Sequence, residues 1–416
     1  MVNGRTRRMG AKFRGAVALV IGASVVAAAC SASGTLDTSF LMPADPSVSF
    51  ALHGSRVLAA SELDADSVVF PTANGEFPRL PVAMAANNGD IVAVASIRMG
   101  SIADNASSML RAAVSSDGGR TWQQHPVSTQ VNGVEPGPVG VVDPATGQMQ
   151  VLGSHRYTSD DNGRTWSARP LVVQPNDAGV VGELNSPAAG IALRTGAHAG
   201  RLVVMCRVAL ADSVRSPIPL PLQWLDWSDT TNCVLYSDDH GETWHTSQTV
   251  QTHVGEGGVV ELADGTLYMS SRTYRFDGRR SEAFSFDGGA TWTDMGRSVL
   301  PEPYFGVNGS LTSVNDGSAD GVVVYANDPE WNALFENVGA TRKDLSLYLS
   351  TDSARTWRFG AVLRQGPAAY SSLVTLGSDI GVLYEAVVSG INSDSDASSP
   401  PDGIRFARVA LSTLSS

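Results

Sequence analysis

One pattern of eight residues, Ser-x-Asp-x-Gly-x-Thr-Trp, constrains this chain more than any other feature. It runs from Ser115 to Trp122, from Ser159 to Trp166, from Ser237 to Trp244 and from Ser285 to Trp292. A fifth copy, Ser350 to Trp357, has Ala354 in the glycine position. Five copies exclude chance. Their spacing of roughly 45–80 residues is that of a repeat protein, whose units are each too small to bury an apolar face alone and must stack on their neighbours. Each copy has the chemistry of a tight turn. Ser and Asp side chains bond nearby backbone N–H groups. Glycine supplies a backbone angle that other residues resist, and the indole is left to pack between adjacent sheets. Such an Asp-box specifies a fold and not a reaction, and Ala354 is expected either to strain the fifth turn slightly or to mark a different turn there.

The segments around each box read as strands. Apolar or alternating runs precede it (91–97 then 109–115; 259–262 then 267–271), with turn signals such as Ala263-Asp264-Gly265 between them. Four antiparallel strands per repeat is the blade pattern of a β-propeller. Five boxes give five blades, and tail strands at 371–376, 381–388 and 404–411 supply another. The expectation is an all-β chain, a six-bladed β-propeller over residues 66–412, with 31–65 as linker and closing strand. The 42 glycines fit a turn-rich chain, and an apolar content of 43% is ample for its core.

Residues 1–30 differ in kind. Arg5, Arg7, Arg8, Lys12 and Arg14 precede an uncharged apolar run at 15–29, which reads as an export signal and is too short for a comfortable membrane span. Ala27-Ala28-Ala29-Cys30 reads either as a lipobox that would lipidate Cys30 or as a plain small-residue cleavage site, and Thr6-Arg7-Arg8 is a faint twin-arginine signal. Removing this segment takes five positive charges and shifts the formal net charge from −12 to about −17. So acidic a protein is a poor ligand for nucleic acid or for an anionic membrane, which leaves a lipid at Cys30 as the membrane contact. Cys206 and Cys233 remain, as a disulfide that export permits or as two buried thiols.

Strand order assigns faces. The boxes join the third and fourth strands of each blade and so mark one end of the propeller. The opposite end carries the entry to the first strand, the exit of the second and the entry to the third. Arg79, Arg98, Asp104, Glu256, Arg272, Arg342 and Tyr370 all fall there, near the axis on which the inner strands converge. Seven such residues converging on one face of an acidic protein are not an accident of surface composition.

These residues also carry a resemblance. Phe77-Pro78-Arg79-Leu80-Pro81 resembles the F-R-I-P segment of the sialidase (neuraminidase) family, with Leu for Ile and an extra Pro78 before the arginine. Gly255-Glu256 through Asp264-Gly265 to Arg272 resembles the family's second arginine block, and Arg342-Lys343-Asp344-Leu345 its third. Ala369-Tyr370-Ser371 and Leu383-Tyr384-Glu385 resemble its C-terminal signature, so the likeness runs from about residue 77 to 410. It implies an exo-α-sialidase acting on sialylated glycoproteins, glycolipids or oligosaccharides. Arg79, Arg272 and Arg342 would clamp the sugar carboxylate, and Glu385 would orient Arg79. Tyr370 would be the nucleophile, Glu256 its base and Asp104 the acid. Arg98 and Glu135, the latter in Val134-Glu135-Pro136, would meet the sugar near O4 or the N-acyl group; Ser96 stands where the family often has an acid two residues before Arg98. A propeller that binds sialoglycans without cleaving them would keep the arginines and lose Asp104, Tyr370 or Glu256, all of which are present; a trans-sialidase would use the same residues and differ in its acceptor site. The seven histidines lack metal-ligand spacing and no phosphate-binding glycine loop opens a helix, so no cofactor is expected. The loop 211–231, with Trp224 and Trp227, is expected either at the rim of the site or folded on itself.

Overall fold

The structure, a computed structural model, describes residues 52, 54–128, 133–185, 187–209, 230–274, 278–303, 306–314, 318–329, 342–386 and 403–415. Residues 1–30, expected to be an export signal and including Cys30, and the Trp224/Trp227 loop lie outside the described residues.

Alternating and continuous apolar runs become strands throughout. β1 (Leu63–Pro71) comes first. β2 (Glu76–Ala85), β3 (Ile91–Met99), β4 (Ser108–Ser115) and β5 (Gln123–Pro126) form a four-stranded antiparallel sheet in sequence order. β6 (Val139–Val142), β7 (Met149–Leu152), β8 (Arg156–Ser159) and β9 (Ser167–Arg169) form the next. Then come the short β10 (Val173–Gln174), β11 (Glu183–Leu184), β12 (Ala188–Ala189) and β13 (Ile191–Ala192), followed by β14 (Leu202–Ala209), β15 (Thr230–Ser237) and β16 (Trp244–Thr246). Here the innermost strand is broken: β11 and β13 both pair with β14, while β12 between them adds to β6 of the preceding sheet. The outer edge is completed by β10 running parallel to β16.

β17 (Val254–Glu261), β18 (Leu267–Thr273), β19 (Arg279–Ser285) and β20 (Thr293–Pro301) repeat the simple order. The remaining strands are β21 (Ser310–Val314), β22 (Val322–Asn327), β23 (Lys343–Ser350), β24 (Arg358–Leu376), β25 (Asp379–Ala386) and β26 (Gly403–Ala410). They join β1 in one sheet of order β1-β26-β25-β24-β23-β22-β21. The first part of β24, up to Pro367, pairs with β23, and from Ala368 onward it pairs with β25. The sheet is thus two four-stranded units sharing one long strand, and β1 is the outermost strand of the second. The arrangement is all-β and propeller-like. The closing strand lies at Leu63–Pro71, so it begins at the end of the expected 31–65 segment and fills the start of the expected propeller.

Every described box connects the third and fourth strands of its unit. In the first, the Ser115 hydroxyl donates to Asp117 at 2.8 Å and accepts from the Gly119 N–H at 2.8 Å. Asp117 accepts from the Thr121 hydroxyl at 2.6 Å and the Thr121 N–H at 2.9 Å. These bonds to the charged form hold the Asp117 carboxyl well below the usual range, the Thr121 hydroxyl contributing most. Glycine is needed at the fifth position twice over. Gly119 has φ +93°, and a Cβ there would lie 2.2 Å from the Phe406 ring, which belongs to β26 of the neighbouring unit. Ala354 keeps the same turn, its N–H 3.0 Å from the Ser350 hydroxyl, at φ +62°, so the fifth box carries the strain of an alanine in the left-handed region. The box indoles bridge units: Trp122 meets Phe406 edge-on at 5.3 Å, and Trp357 lies against Tyr268 and Tyr325. Apolar clusters form between successive sheets, as where Val139 and Val141 pack with Val204, Leu235, Leu267 and Trp244. Cys206 and Cys233 are directly opposed in the β14–β15 ladder and form a disulfide.

Candidate active site

Three inner strands lose their regular ladder at one end, each at a residue singled out above. In β2, the step from Arg79–Ser96 to Val82–Val94 leaves Leu80 and Pro81 facing Ala95. In β17, the step from Val254–Thr273 to Gly257–Ser271 leaves Gly255 and Glu256 facing Arg272. In β24, the step from Ala368–Ala386 to Ser371–Tyr384 leaves Ala369 and Tyr370 facing Glu385. A bulge puts an extra residue into a strand and re-aims its side chain. Here three of them turn Arg79, Glu256 and Tyr370 toward common neighbours.

The backbone groups released by the bulges find partners. The Leu80 N–H, on a residue at φ +58°, donates to Glu385 Oε1 at 2.8 Å, and the same oxygen accepts from Arg79 Nε at 2.8 Å. The Gly255 carbonyl accepts from the side-chain amides of Asn185 at 2.9 Å and Asn232 at 2.8 Å. The Ser371 N–H donates to Asn308 Oδ1 at 3.2 Å, while the Asn308 amide returns a bond to the Ser371 carbonyl at 2.8 Å.

The Tyr370 hydroxyl donates to Glu256 Oε1 at 2.8 Å, and the other oxygen of Glu256 lies 2.6 Å from Arg272 Nη1. The Arg79 and Arg342 guanidinium carbons lie 5.7 and 5.2 Å from the centre of the Tyr370 ring. Burial raises the Tyr370 phenol above its ordinary pKa and the Glu256 charge adds to this, against the pull of Arg342, Arg272 and Arg79. The phenol therefore rests neutral. Arg342 is held by the Gly306 carbonyl, which accepts from Nε at 3.1 Å and Nη2 at 2.8 Å. Arg98 pairs with the exposed Asp104 at 2.6 Å and also donates to the Ile102 carbonyl. Its pKa is lowered, first by burial and then by the positive charge of nearby Arg79.

All four arginines are buried. Arg79, Arg98 and Arg272 each pair with one carboxylate, whereas Arg342 is in no ion pair among the described residues. An anionic ligand could supply the ion pair that Arg342 lacks among the described residues. One further acid is close: Asp328, fully buried and without a hydrogen-bond partner among the described residues. Burial pushes its pKa well above the usual carboxylate range, against the nearby Arg342 charge.

Glu135 behaves differently. Its carboxylate accepts from the Ser154 N–H and hydroxyl, both at 2.8 Å, and from the Tyr157 hydroxyl at 3.4 Å. Its backbone exchanges hydrogen bonds with the hydroxyl of Ser108, on β4 opposite Arg98. No ion pair joins it to the four arginines among the described residues. Sequence reasoning missed Gly306, Asp328 and Tyr274, whose ring lies 5.0 Å from the Arg272 guanidinium; none stands in a motif or repeat. Among the described residues no group of three or more His, Cys, Asp or Glu is arranged to hold a metal ion.

The BNR repeat-like domain family matches residues 139–382, more than half of the chain. A sialidase of Micromonospora viridifaciens is 29% identical over 232 residues, 54% of this chain but only 30% of that protein's length. A Hadza microbial sialidase superposes with a TM-score of 0.61 at 22% identity, covering 81% of this chain and 66% of the other. The intramolecular trans-sialidase of Ruminococcus gnavus superposes with a TM-score of 0.63 at 16% identity, covering 86% and 99%. At these identities the superpositions establish the propeller fold. The chain belongs to the bacterial-type sialidase/BNR-repeat family.

Proposed function

We propose that this protein is an exported exo-α-sialidase, a six-bladed propeller that hydrolyses terminal sialic acids from glycoconjugates with retention of configuration. The count of six takes the seven-stranded sheet as two blades sharing β24. Export rests on the basic and apolar character of residues 1–30. One observation carries the catalytic reading: a buried, neutral phenol donates to a carboxylate at 2.8 Å in the middle of an arginine cluster.

Sialic acid bears a carboxylate on its anomeric carbon. Arg79, Arg272 and Arg342 offer guanidinium N–H groups to it, and planar guanidinium is the side chain best matched to a carboxylate. An anionic nucleophile would be repelled by that carboxylate, whereas a phenol is not, and sialidases are an exception to the two-carboxylate scheme of glycosidases. Tyr370 Oη forms the bond to the anomeric carbon while its proton passes to Glu256. The bond to the leaving oxygen breaks as Asp104 protonates that oxygen. In the second half Asp104 takes a proton from water, the water oxygen bonds to the anomeric carbon, and Tyr370 leaves with the proton returned from Glu256. Two inversions give net retention. Arg98 faces the sugar beside Asp104, and Glu135 supports that wall through Ser154 and Tyr157 rather than by charge.

The likeness to an intramolecular trans-sialidase favours one second reading, in which the same Tyr370 intermediate is resolved by a hydroxyl of the sugar or of another glycan instead of water. The test is release of 4-methylumbelliferone from its sialoside by residues 31–416, with chromatography of the sugar product. Release that collapses by about 10³-fold or more in a folded Tyr370→Phe variant is expected from loss of the nucleophile. Free sialic acid identifies the hydrolase and a transferred or anhydro product the second reading. No turnover by folded wild type would overturn both.

A further inference from the structure

We infer that Arg280, together with Glu302, is a positioning residue for this site, holding the arginine clamp and Tyr370 in register from beneath without touching substrate. This rests on the sialidase reading above. Arg280 is fully buried, and all five of its N–H groups are used. Nε donates to the Ser270 hydroxyl at 2.9 Å, and Nη1 to Glu302 at 2.7 Å and the Val307 carbonyl at 3.0 Å. Nη2 donates to the Asn308 carbonyl at 2.7 Å and the Ser270 carbonyl at 3.2 Å.

What those bonds hold is the site's support. Gly306, Val307, Asn308 and Gly309 precede β21, and both glycines have positive φ, at +62° and +57°. The Gly306 carbonyl is the acceptor for Arg342. Val307 packs on Ala369 and Tyr370, and Asn308 is doubly bonded to Ser371. At the other end of the hub, Glu302 Oε1 accepts from the N–H of Thr273, the residue after Arg272, at 2.8 Å. One planar group thus ties together the supports of Arg342, Tyr370 and Arg272, which come from three different stretches of chain. A lysine has three donors on one nitrogen and cannot reproduce the fork.

The experiment compares Arg280→Lys and Glu302→Gln with Arg201→Lys, a change at another buried arginine that pairs with Asp238 within the third box. Each folded variant is assayed for kcat/KM on the fluorogenic sialoside, for affinity toward 2-deoxy-2,3-didehydro sialate and for hydrogen exchange by peptide. Small misplacement at a site costs up to about 10²-fold, so Arg280→Lys is expected to lose roughly 10- to 100-fold in kcat/KM and in ligand affinity. Exchange should rise at 306–309 and 369–371, whereas Arg201→Lys should lose melting temperature alone. If Arg280→Lys does not fold, Glu302→Gln carries the same expectation with a smaller loss. Variants that lose melting temperature but keep kcat/KM, ligand affinity and exchange at those peptides would overturn the proposal. If wild type itself cleaves no sialoside, the sialidase reading fails, and the exchange data alone decide the hub.

Discussion

Gly306 offers a test in which geometry fixes the size of the effect. It is wedged between two arginines: its carbonyl holds Arg342, and an added Cβ would lie 2.6 Å from Arg272 Nε, 2.7 Å from Cγ and 3.0 Å from Cδ. Non-bonded atoms settle at about 3.5 Å or more, so Gly306→Ala must push the Arg272 side chain back by about 0.8 Å. Arg272 is buried and tied to Glu256, so the displacement passes to the carboxylate proposed as the base for Tyr370. A 1 Å error in a catalytic group costs up to about 10²-fold, and kcat/KM should fall roughly 30- to 100-fold, or about 2–2.7 kcal/mol of transition-state stabilisation. The backbone pays separately, about 1 kcal/mol of stability for alanine in the left-handed region. Gly377→Ala separates the two effects, since Gly377 has φ +67° and no atom within 4 Å of its Cβ position. Urea unfolding should show similar losses for both variants, and sialoside kinetics a loss for Gly306→Ala alone. A Gly306→Ala enzyme within about 3-fold of Gly377→Ala in kcat/KM would refute the claim that this glycine spaces the arginines.

Two further outcomes follow from contacts already described. Ala354→Gly should stabilise the protein by about 0.5–1 kcal/mol in urea unfolding, because φ +62° is unstrained only for glycine; the activity should not change. Glu385→Gln keeps an acceptor for Arg79 and Leu80 but leaves the Arg79 guanidinium, buried by the same contact, without its counter-charge. A loss of about 3 kcal/mol in the same measurement is expected, and a stability equal to wild type would show that the pair does not hold the β2 bulge.

The repeat was legible because its chemistry is local: Ser115, Asp117, Gly119 and Thr121 close one turn from within four or five residues, and the same bonds recur wherever the pattern does. Turn order then assigned faces, and most of the residues placed on one end are joined there. Tyr370 meets Glu256, Glu256 meets Arg272 and Arg79 meets Glu385. The bulges escaped notice because a strand with one extra residue has the same composition as a regular one. The carboxylate of Glu135 is bonded to Ser154 and Tyr157, which no motif connects to it. Arg280 and Gly306 were invisible for a related reason. Their value lies in which distant carbonyl or side chain they face, and that is decided by sheet packing. The broken inner strand around β12 likewise depends on a neighbouring sheet edge and leaves no periodic trace.

The pairing of β1 with β26 has a consequence for the order of events in biosynthesis. The strand at Leu63–Pro71 leaves the ribosome long before Gly403–Ala410, its sole ladder partner among the described residues. Until then Val69 and Phe70, nearly inaccessible in the finished molecule, belong to an unpaired strand, a site for mispairing with another chain. The junction this strand closes is also the one crossed by the Arg79–Glu385 contact, whose partners are 306 residues apart. A nascent or truncated chain can therefore complete several blades and still lack the contact that orients Arg79. Closing this junction is the checkpoint at which the proposed site is first assembled.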